Sequence, residues 1–428
     1  MTAVAYAGLL AFVTERFIAE PFAYLGFVHR PVGALELVLW VVSSGALGAM
    51  AFRRWALPSH SAFAFLLATV ALPVVTVPTF WGQLESWGLF VLQLTTLVAF
   101  ALMRVILRGD RIPWRGVVVP PRLFWLALAS ATTGAMGYLF LSTGISPTFL
   151  NLSDVYSQRE EFSGSITSVG AYLVGWVGAG ILPGVLATGL YRRNATITGS
   201  AVVAIALLYS MTGYKSYLVG VALTIAAYVL TAVHRRGGHW WITTFGGIVA
   251  VAALLDSVRG GFTFTTLLVR RALATAGLNT ASYVDFFDSN ERYGLRHSVL
   301  SFTGQPPYDL SPARLIGLEA YGNATVAANV NFIGDGYANF GITGVLVMAT
   351  VLAIYLRCVD KATMHLPLQV SAPALTLFLI AASNTAALTV LSTHGGLVLL
   401  ALMLTMPSFK DPQVETRKER RTITTRRT

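Results

Sequence analysis

Charge is scarce in this chain of 428 residues. Asp, Glu, Lys and Arg make up 11% of it, against roughly 25% in an ordinary soluble domain. That shortage excludes a conventional soluble globular protein. Cysteine is nearly absent: Cys358 stands alone and can form no disulfide within the chain. Signature chemistry is missing too. There is no Gly-x-x-x-x-Gly-Lys-Ser/Thr phosphate loop, no His-Glu-x-x-His helix, and no Asp-x-Asp pair of the kind that holds a nucleotide-bound metal. The seven histidines are scattered, and no cysteine pair accompanies them to complete a metal-ligand set. Nucleotide-driven and metal-dependent chemistry are disfavoured, and no cofactor is expected.

Apolar residues are abundant instead, at 55% of the chain. They gather in runs long enough to cross a hydrocarbon core of roughly 30 Å. The fold class expected is an all-α polytopic membrane protein of about twelve transmembrane helices. The spans fall at 2–18, 33–51, 61–80, 86–107, 122–142, 165–190, 197–213, 215–233, 241–257, 338–356, 370–388 and 391–407. The first lacks a basic leader and a small-residue cleavage site, so it reads as a plain membrane helix rather than a signal peptide. No soluble domain and no internal repeat stand out. The organisation expected is one bundle, 1–408, followed by a basic tail, 409–428.

Lys and Arg in the loops set the orientation. One side holds Arg53/Arg54, the segment from Arg104 to Arg122, Arg192/Arg193, Arg235/Arg236, Arg357/Lys361 and the tail. That side carries about 20 of the 30 basic and about 5 of the 19 acidic residues. It is therefore near +15 and the other side near −4, which together make the +11 of the chain. The basic side is cytoplasmic by this rule, with both termini inside. The tail suits anionic lipid headgroups. Nucleic acid is not an expected partner, because no binding fold or interleaved aromatic residues accompany the tail.

Two extracytoplasmic segments follow, roughly 143–164 and 258–337. The second carries aromatic and branched apolar residues throughout, so it is expected to contain short helices and to fold over the outer mouth of the bundle. Charges near membrane depth are costly unless paired or hydrated, which makes them functional candidates. The cations are Arg159, Lys215, Arg259, Arg270, Arg271, Arg292, Arg296 and Arg314. Their acidic companions include Asp154, Glu160, Glu161, Asp285, Glu319 and Asp335.

Lys215 lies in a tight turn, "MTGYKSYLVG", and either snorkels to headgroups or binds an anion. Arg270 and Arg271 lie in "LLVRRALATAGLNTASYVDFF", which reads as two short helices broken at Gly277. They meet lipid phosphates from an interfacial helix or form a guanidinium fork for a diphosphate. "NVNFIGDGYANFGITG" combines Asn331, Asp335, Tyr337 and Asn339 with four glycines. It is either a tight helix entry or a polar lining. His297 and Glu319 are further proton acceptors, or simply solvated.

These pieces, in order, resemble the O-antigen polymerase (Wzy-type) family of bacterial polysaccharide repeat-unit polymerases. The resemblance rests on "DVYSQREEF", "ILPGVL", "TGYKSYLVG", "VRRALATAGLNTASYVDFF", "LIGLEAYGNATVAANVNFIGDGYANFGITGVL" and "STHGGLVLLALM". It covers most of the chain from about residue 150 onward. It implies a multi-pass protein of the bacterial cytoplasmic membrane that polymerises undecaprenyl-diphosphate-linked oligosaccharides on the outer face, without metal or nucleotide sugar. Arg159, Lys215, Arg270 and Arg271 would then bind the substrate diphosphate. Asp335, His297 or Glu319 would take the acceptor proton, and Tyr337, Asn339 and Asn331 would hold sugar hydroxyls. Membrane lipids are implied partners, and the resemblance suggests a chain-length regulator as a protein partner. The alternatives are an O-antigen ligase passing glycan to another acceptor and, less favoured, a lipid-linked oligosaccharide transporter. A transporter would want charges deep within its spans.

Overall fold

The computed structural model describes residues 1–109, 117, 119–144, 162, 166–233 and 237–409. Asp154, Arg159, Glu160 and Glu161, and the tail from 410 onward, lie outside the described residues. Those described form helices joined by turns, with one isolated antiparallel bridge between His29 and Trp81. The main helices run α1 (Thr2–Ala19), α2 (Ala34–Ala49), α3 (Pro58–Phe80), α4 (Ser86–Leu107), α5 (Pro121–Thr143), α6 (Ser168–Arg192), α7 (Ala195–Thr212), α8 (Ser216–Val233) and α9 (Trp240–Arg259). They continue as α10 (Thr275–Ser289), α11 (Pro312–Tyr321), α12 (Phe332–Ala362), α13 (Leu368–Ala382), α14 (Ala387–Ser392) and α15 (Gly396–Thr405).

Among the described residues ten elements are long and apolar enough to cross a membrane: α1, α3 to α9, α12, and α14 with α15 taken together. Two shorter apolar helices, α2 and α13, occupy the places of two other expected spans. At 16 residues, α2 rises only about 24 Å.

The bundle is organised around α3, 94% of whose apolar window is buried. It packs against α1, α2, α4, α9, α10, α12 and α13. A second apolar cluster, with Leu186, Ile205 and Leu208 at its centre, is built from α5 to α8. It meets the first group through α13. At the other extreme, α5 turns Leu123, Leu126 and Leu141 outward, as a helix bordering lipid would. Proline opens α3, α5 and α11, where its missing N–H has no intrahelical partner to lose.

The helix ends divide into two sets, as an alternating traverse requires. At one end Asp360 accepts from the Ser59 N–H (3.0 Å) and hydroxyl (2.7 Å), and the Trp241 indole donates to Ser61 (2.9 Å). His365 pairs with the Met406 carbonyl (2.7 Å) at this same end. At the other, Arg30 pairs with Glu36 (2.6 Å), which also accepts from Ser86 (2.7 Å). Asp256 there caps the segment after α9, accepting from the N–H groups of Phe264 (3.0 Å) and Thr265 (2.7 Å).

The segment after α9 is more than a lid. Residues 266–274 form a π-helical stretch that runs straight into α10, with no break at Gly277. Val269, Leu273, Ala276, Thr280, Val284 and Phe287 recur every three or four residues and are buried. That apolar face drives the segment into the bundle instead of across its mouth. Gly277 lies against the Pro73 carbonyl, where a Cβ would stand 2.5 Å from the oxygen.

Two span elements are broken. In α12, Phe340 and Gly341 leave helical geometry, and Gly341 has φ 62°, a conformation strained for any residue with a Cβ. The chain folds back so sharply that a Cβ on Gly336 would lie 2.7 Å from the Val345 Cα. Along an unbroken helix those positions would stand roughly 13 Å apart. The second break, at 393–395 in "STHGG", separates α14 from α15. The Trp176 indole donates to the Ser392 carbonyl (3.0 Å), and the Tyr355 hydroxyl donates to that of Gly396 (2.7 Å).

The first break yields a prediction. Gly344→Val thrusts a side chain at the Gly336 carbonyl and should cost roughly 1–3 kcal/mol, as core overpacking does. Purified protein should show a lowered Tm and a reduced monodisperse fraction. Gly134→Ala and Gly137→Ala, where an added Cβ meets nothing within 4 Å, should leave both unchanged.

Candidate active site

A polar strip runs between α10, α11 and the first part of α12. It begins with Asn279 and Thr280 on the buried face of α10. The Tyr321 hydroxyl, at the end of α11, donates to Asn279 Oδ1. Asn279 Nδ2 donates onward to the Asn329 carbonyl (2.8 Å). The Tyr283 hydroxyl donates to the Ala328 carbonyl (3.1 Å), so residues 328–331 lie strung along α10. Burial raises the Tyr321 phenol to about 12, with Arg270 acting in the opposite direction. The phenol is therefore protonated at neutral pH and serves as a donor.

Asn331 closes this run and opens α12. Its Oδ1 accepts from the Ile333 N–H (3.0 Å), capping the helix, while its Nδ2 donates to Thr280 (3.1 Å). Asp335 follows in the first turn of α12, where the helix dipole favours a negative charge. Only 7% of it is exposed, so its carboxylate is nearly but not wholly sealed from solvent. Asn339 Nδ2 donates to the Asp335 carbonyl (2.8 Å) and reaches its Oδ1 at 3.3 Å. Asn339 Oδ1 accepts from the Leu295 N–H (2.8 Å). The Tyr337 hydroxyl donates to Asp288 (3.0 Å), and the Arg292 guanidinium stands over the Tyr337 ring at 5.4 Å.

The break in α12 supports this arrangement. The carbonyls of Ala338 and Asn339 accept instead from the N–H groups of Tyr293 (2.9 Å) and Gly294 (3.1 Å). His297 belongs to the same clamp, edge-on to the Tyr293 ring with centroids 4.8 Å apart. Its Nδ1 is buried without a hydrogen-bond partner.

The structure thus gathers Asp335, Tyr337, Asn339, Asn331 and His297 around one broken helix. The amides of Asn331 and Asn339, expected to hold sugar hydroxyls, are engaged within the protein. Arg270 and Arg271 do not form a fork. Arg270 is half-buried, its guanidinium 4.1 Å from the Phe22 ring centroid, whereas Arg271 is exposed on another face of the same turn. Glu319 is exposed on α11. Lys215 sits in the α7–α8 turn, whose tightness rests on Gly213 at φ 66°. Its neighbours Tyr214 and Tyr217 pack into the second apolar cluster. Arg159 lies outside the described residues.

Sequence reading missed Asn279, Thr280, Tyr283, Tyr321 and Asp288. A usable signal was present for the first two: an amide and a hydroxyl side by side on a face otherwise made of apolar, small and aromatic residues. Among the described residues no three His, Cys, Asp or Glu side chains converge to hold a metal ion. The chain matches no family model, no curated protein and no solved structure.

Burial holds the His297 imidazole below its ordinary pKa, because it disfavours the charged form. The unfolded chain then binds the proton more readily. Stability is complete above about pH 6.5, the unfolded value, and falls as pH drops through the folded-state pKa. A thermal melt series from pH 7.5 to pH 5.5 should show Tm decreasing on acidification. His297→Phe, which keeps the ring contact without the titration, should flatten that slope.

Proposed function

We propose that this chain is a membrane glycosyltransferase of the O-antigen polymerase type. It joins undecaprenyl-diphosphate-linked oligosaccharide repeat units into surface polysaccharide on the outer face of the bacterial cytoplasmic membrane, using no metal or nucleotide sugar. In this reading α2 and α13 also cross the bilayer, giving twelve spans. The basic loops and both termini are cytoplasmic, and the segment 258–337 faces outward.

One observation carries the proposal. A nearly sealed carboxylate, Asp335, stands on a broken helix at the end of the bundle opposite the basic loops. Asn279 and Tyr321 link that helix towards Arg270. A transferase of this kind needs a base and fixed positive charge close together in a water-poor site. The acceptor hydroxyl attacks the anomeric carbon of the donor. The new glycosidic C–O bond forms as the bond to the carrier diphosphate breaks, and the diphosphate leaves with its electron pair. Asp335 accepts the hydroxyl proton, with His297 and Glu319 as the secondary candidates. Arg270 balances the charge growing on the leaving diphosphate, with Arg159, Lys215 and Arg271 as the further candidates. Tyr337 meets the sugar, while Asn331 and Asn339 hold the helix that presents it. The apolar carrier enters sideways between spans, and a chain-length regulator acts as partner.

Purified protein given a synthetic lipid-linked repeat unit should produce a polymer ladder. Asp335→Asn should slow it by about 10²- to 10⁴-fold, the usual worth of a general base. Arg270→Ala should slow it by about 10²-fold or more, as loss of a charge-stabilising donor does. Undiminished ladders from both variants, at matched protein levels, would remove these assignments. Transfer of preformed polymer to a different acceptor, with no ladder, would point to a ligase.

The orientation is tested separately. The one native cysteine, Cys358, is replaced by Ala, and single cysteines are installed at Asn290 and Gly109, both exposed. A membrane-impermeant maleimide added to intact cells lacking an outer-membrane barrier should label position 290 and spare position 109. The reverse pattern inverts the orientation.

A further inference from the structure

We propose that the end of the bundle opposite the candidate active site carries a binding site for the phosphate of an anionic glycerophospholipid. The inference does not rest on the transferase reading.

Three guanidiniums lie near one another there, and no ion pair with a carboxylate engages them among the described residues. Arg104 and Arg108 stand one turn apart at the end of α4, and Arg53 follows Phe52, against whose ring the Arg104 guanidinium lies. The nearby Asp360 is engaged by Ser59 and by Arg357 at 3.7 Å. Arg104 Nε is buried and makes no hydrogen bond.

The fold keeps Arg104 and the backbone that carries Arg53 in place. Phe52 is stacked on His60, with centroids 4.0 Å apart and planes 10° apart, and the Arg104 guanidinium lies 5.9 Å from the Phe52 ring centroid. The turn before α9 closes on the same backbone: a Cβ on Gly238 would stand 2.8 Å from the Phe52 carbonyl oxygen. Between that turn and Arg53 lies a hollow of about 400 Å³, lined by Arg53, Gly238, His239, Trp240 and Thr243.

Like charges held near one another repel unless an anion joins them. Guanidinium forks match the oxygens of a phosphate, and the orphaned Nε is a donor that such an oxygen can satisfy. Lipid is the favoured source of that phosphate for two reasons. The site is at the end of the apolar helices, where headgroups lie, and Trp240 supplies the amphipathic ring that prefers this level. The anionic lipids of the cytoplasmic leaflet attract basic juxtamembrane clusters, and this is the end bearing the basic loops.

The test uses the full chain in a zwitterionic detergent and measures binding of dihexanoyl phosphatidylglycerol, dihexanoyl phosphatidylcholine and inorganic phosphate. Wild type should bind the phosphatidylglycerol at least tenfold more tightly than either of the others. The double variant Arg53→Gln/Arg104→Gln should lose that preference. The charge-matched control Arg54→Gln/Arg122→Gln, at exposed positions, should keep it. If the glutamine double does not fold, Arg53→Lys/Arg104→Lys replaces it, with weakened binding expected because the fork is lost while the charge stays. Equal losses in the site and control doubles, or no loss in the site double or its lysine replacement, overturn the site. Inorganic phosphate binding as tightly as the lipid overturns the assignment to lipid. Ladder formation by the site variants should match wild type, which separates failure here from failure of the transferase reading.

Discussion

Within a bilayer no water is at hand to satisfy a backbone N–H or carbonyl that leaves its helix, so every break must be repaired by protein. That constraint governs the architecture on the acid-bearing end. The break at Phe340–Gly341 is tolerated because the backbone at Tyr293 and Gly294 donates to the carbonyls of Ala338 and Asn339. The break within 393–395 is tolerated because Trp176 and Tyr355 supply donors. Each repair ties a distant segment to a span and fixes where its side chains point.

The polar strip follows from the same requirement. Residues 328–331 lead into α12 outside any helix, and their carbonyls and side chains need partners in an apolar setting. α10 provides them through Asn279, Thr280 and Tyr283. Asp335 is thereby delivered to a position almost closed to solvent. A carboxylate there is expensive to bury, which sets it apart from the satisfied carboxylates of Asp256 and Asp360. Those two cap backbone and hydroxyl groups at helix ends and hold the bundle together.

The two ends of the bundle differ in how they treat charge. At one end acids and arginines are interleaved, with Glu36 on Arg30 and Glu291 on Arg296. At the other, Arg53, Arg104 and Arg108 stand together. The contrast was legible in the loop composition, because charged residues are driven out of the hydrocarbon and collect where the helices end. The grouping of Arg53 with Arg104 was not legible, since it arises from packing Phe52 between α3, α4 and the turn before α9.

The membrane class, the positions of the span elements and the partition of basic residues between loops follow from local composition, since a bilayer-crossing helix is specified by its own apolar length. The candidates Asp335, Tyr337 and Asn339 were visible for a similar reason: polar residues among glycines at the head of a span violate the local rule. Tertiary structure alone decided that residues 266–289 enter the bundle, that α12 folds back on itself at Gly341, and that Arg270 and Arg271 part company. It also brought Tyr321 to Asn279 and residues 328–331 to α10. Hydropathy records how costly each segment is to expose to water or lipid. It carries no information about which backbone group, many residues away, will satisfy a carbonyl that a broken helix leaves open.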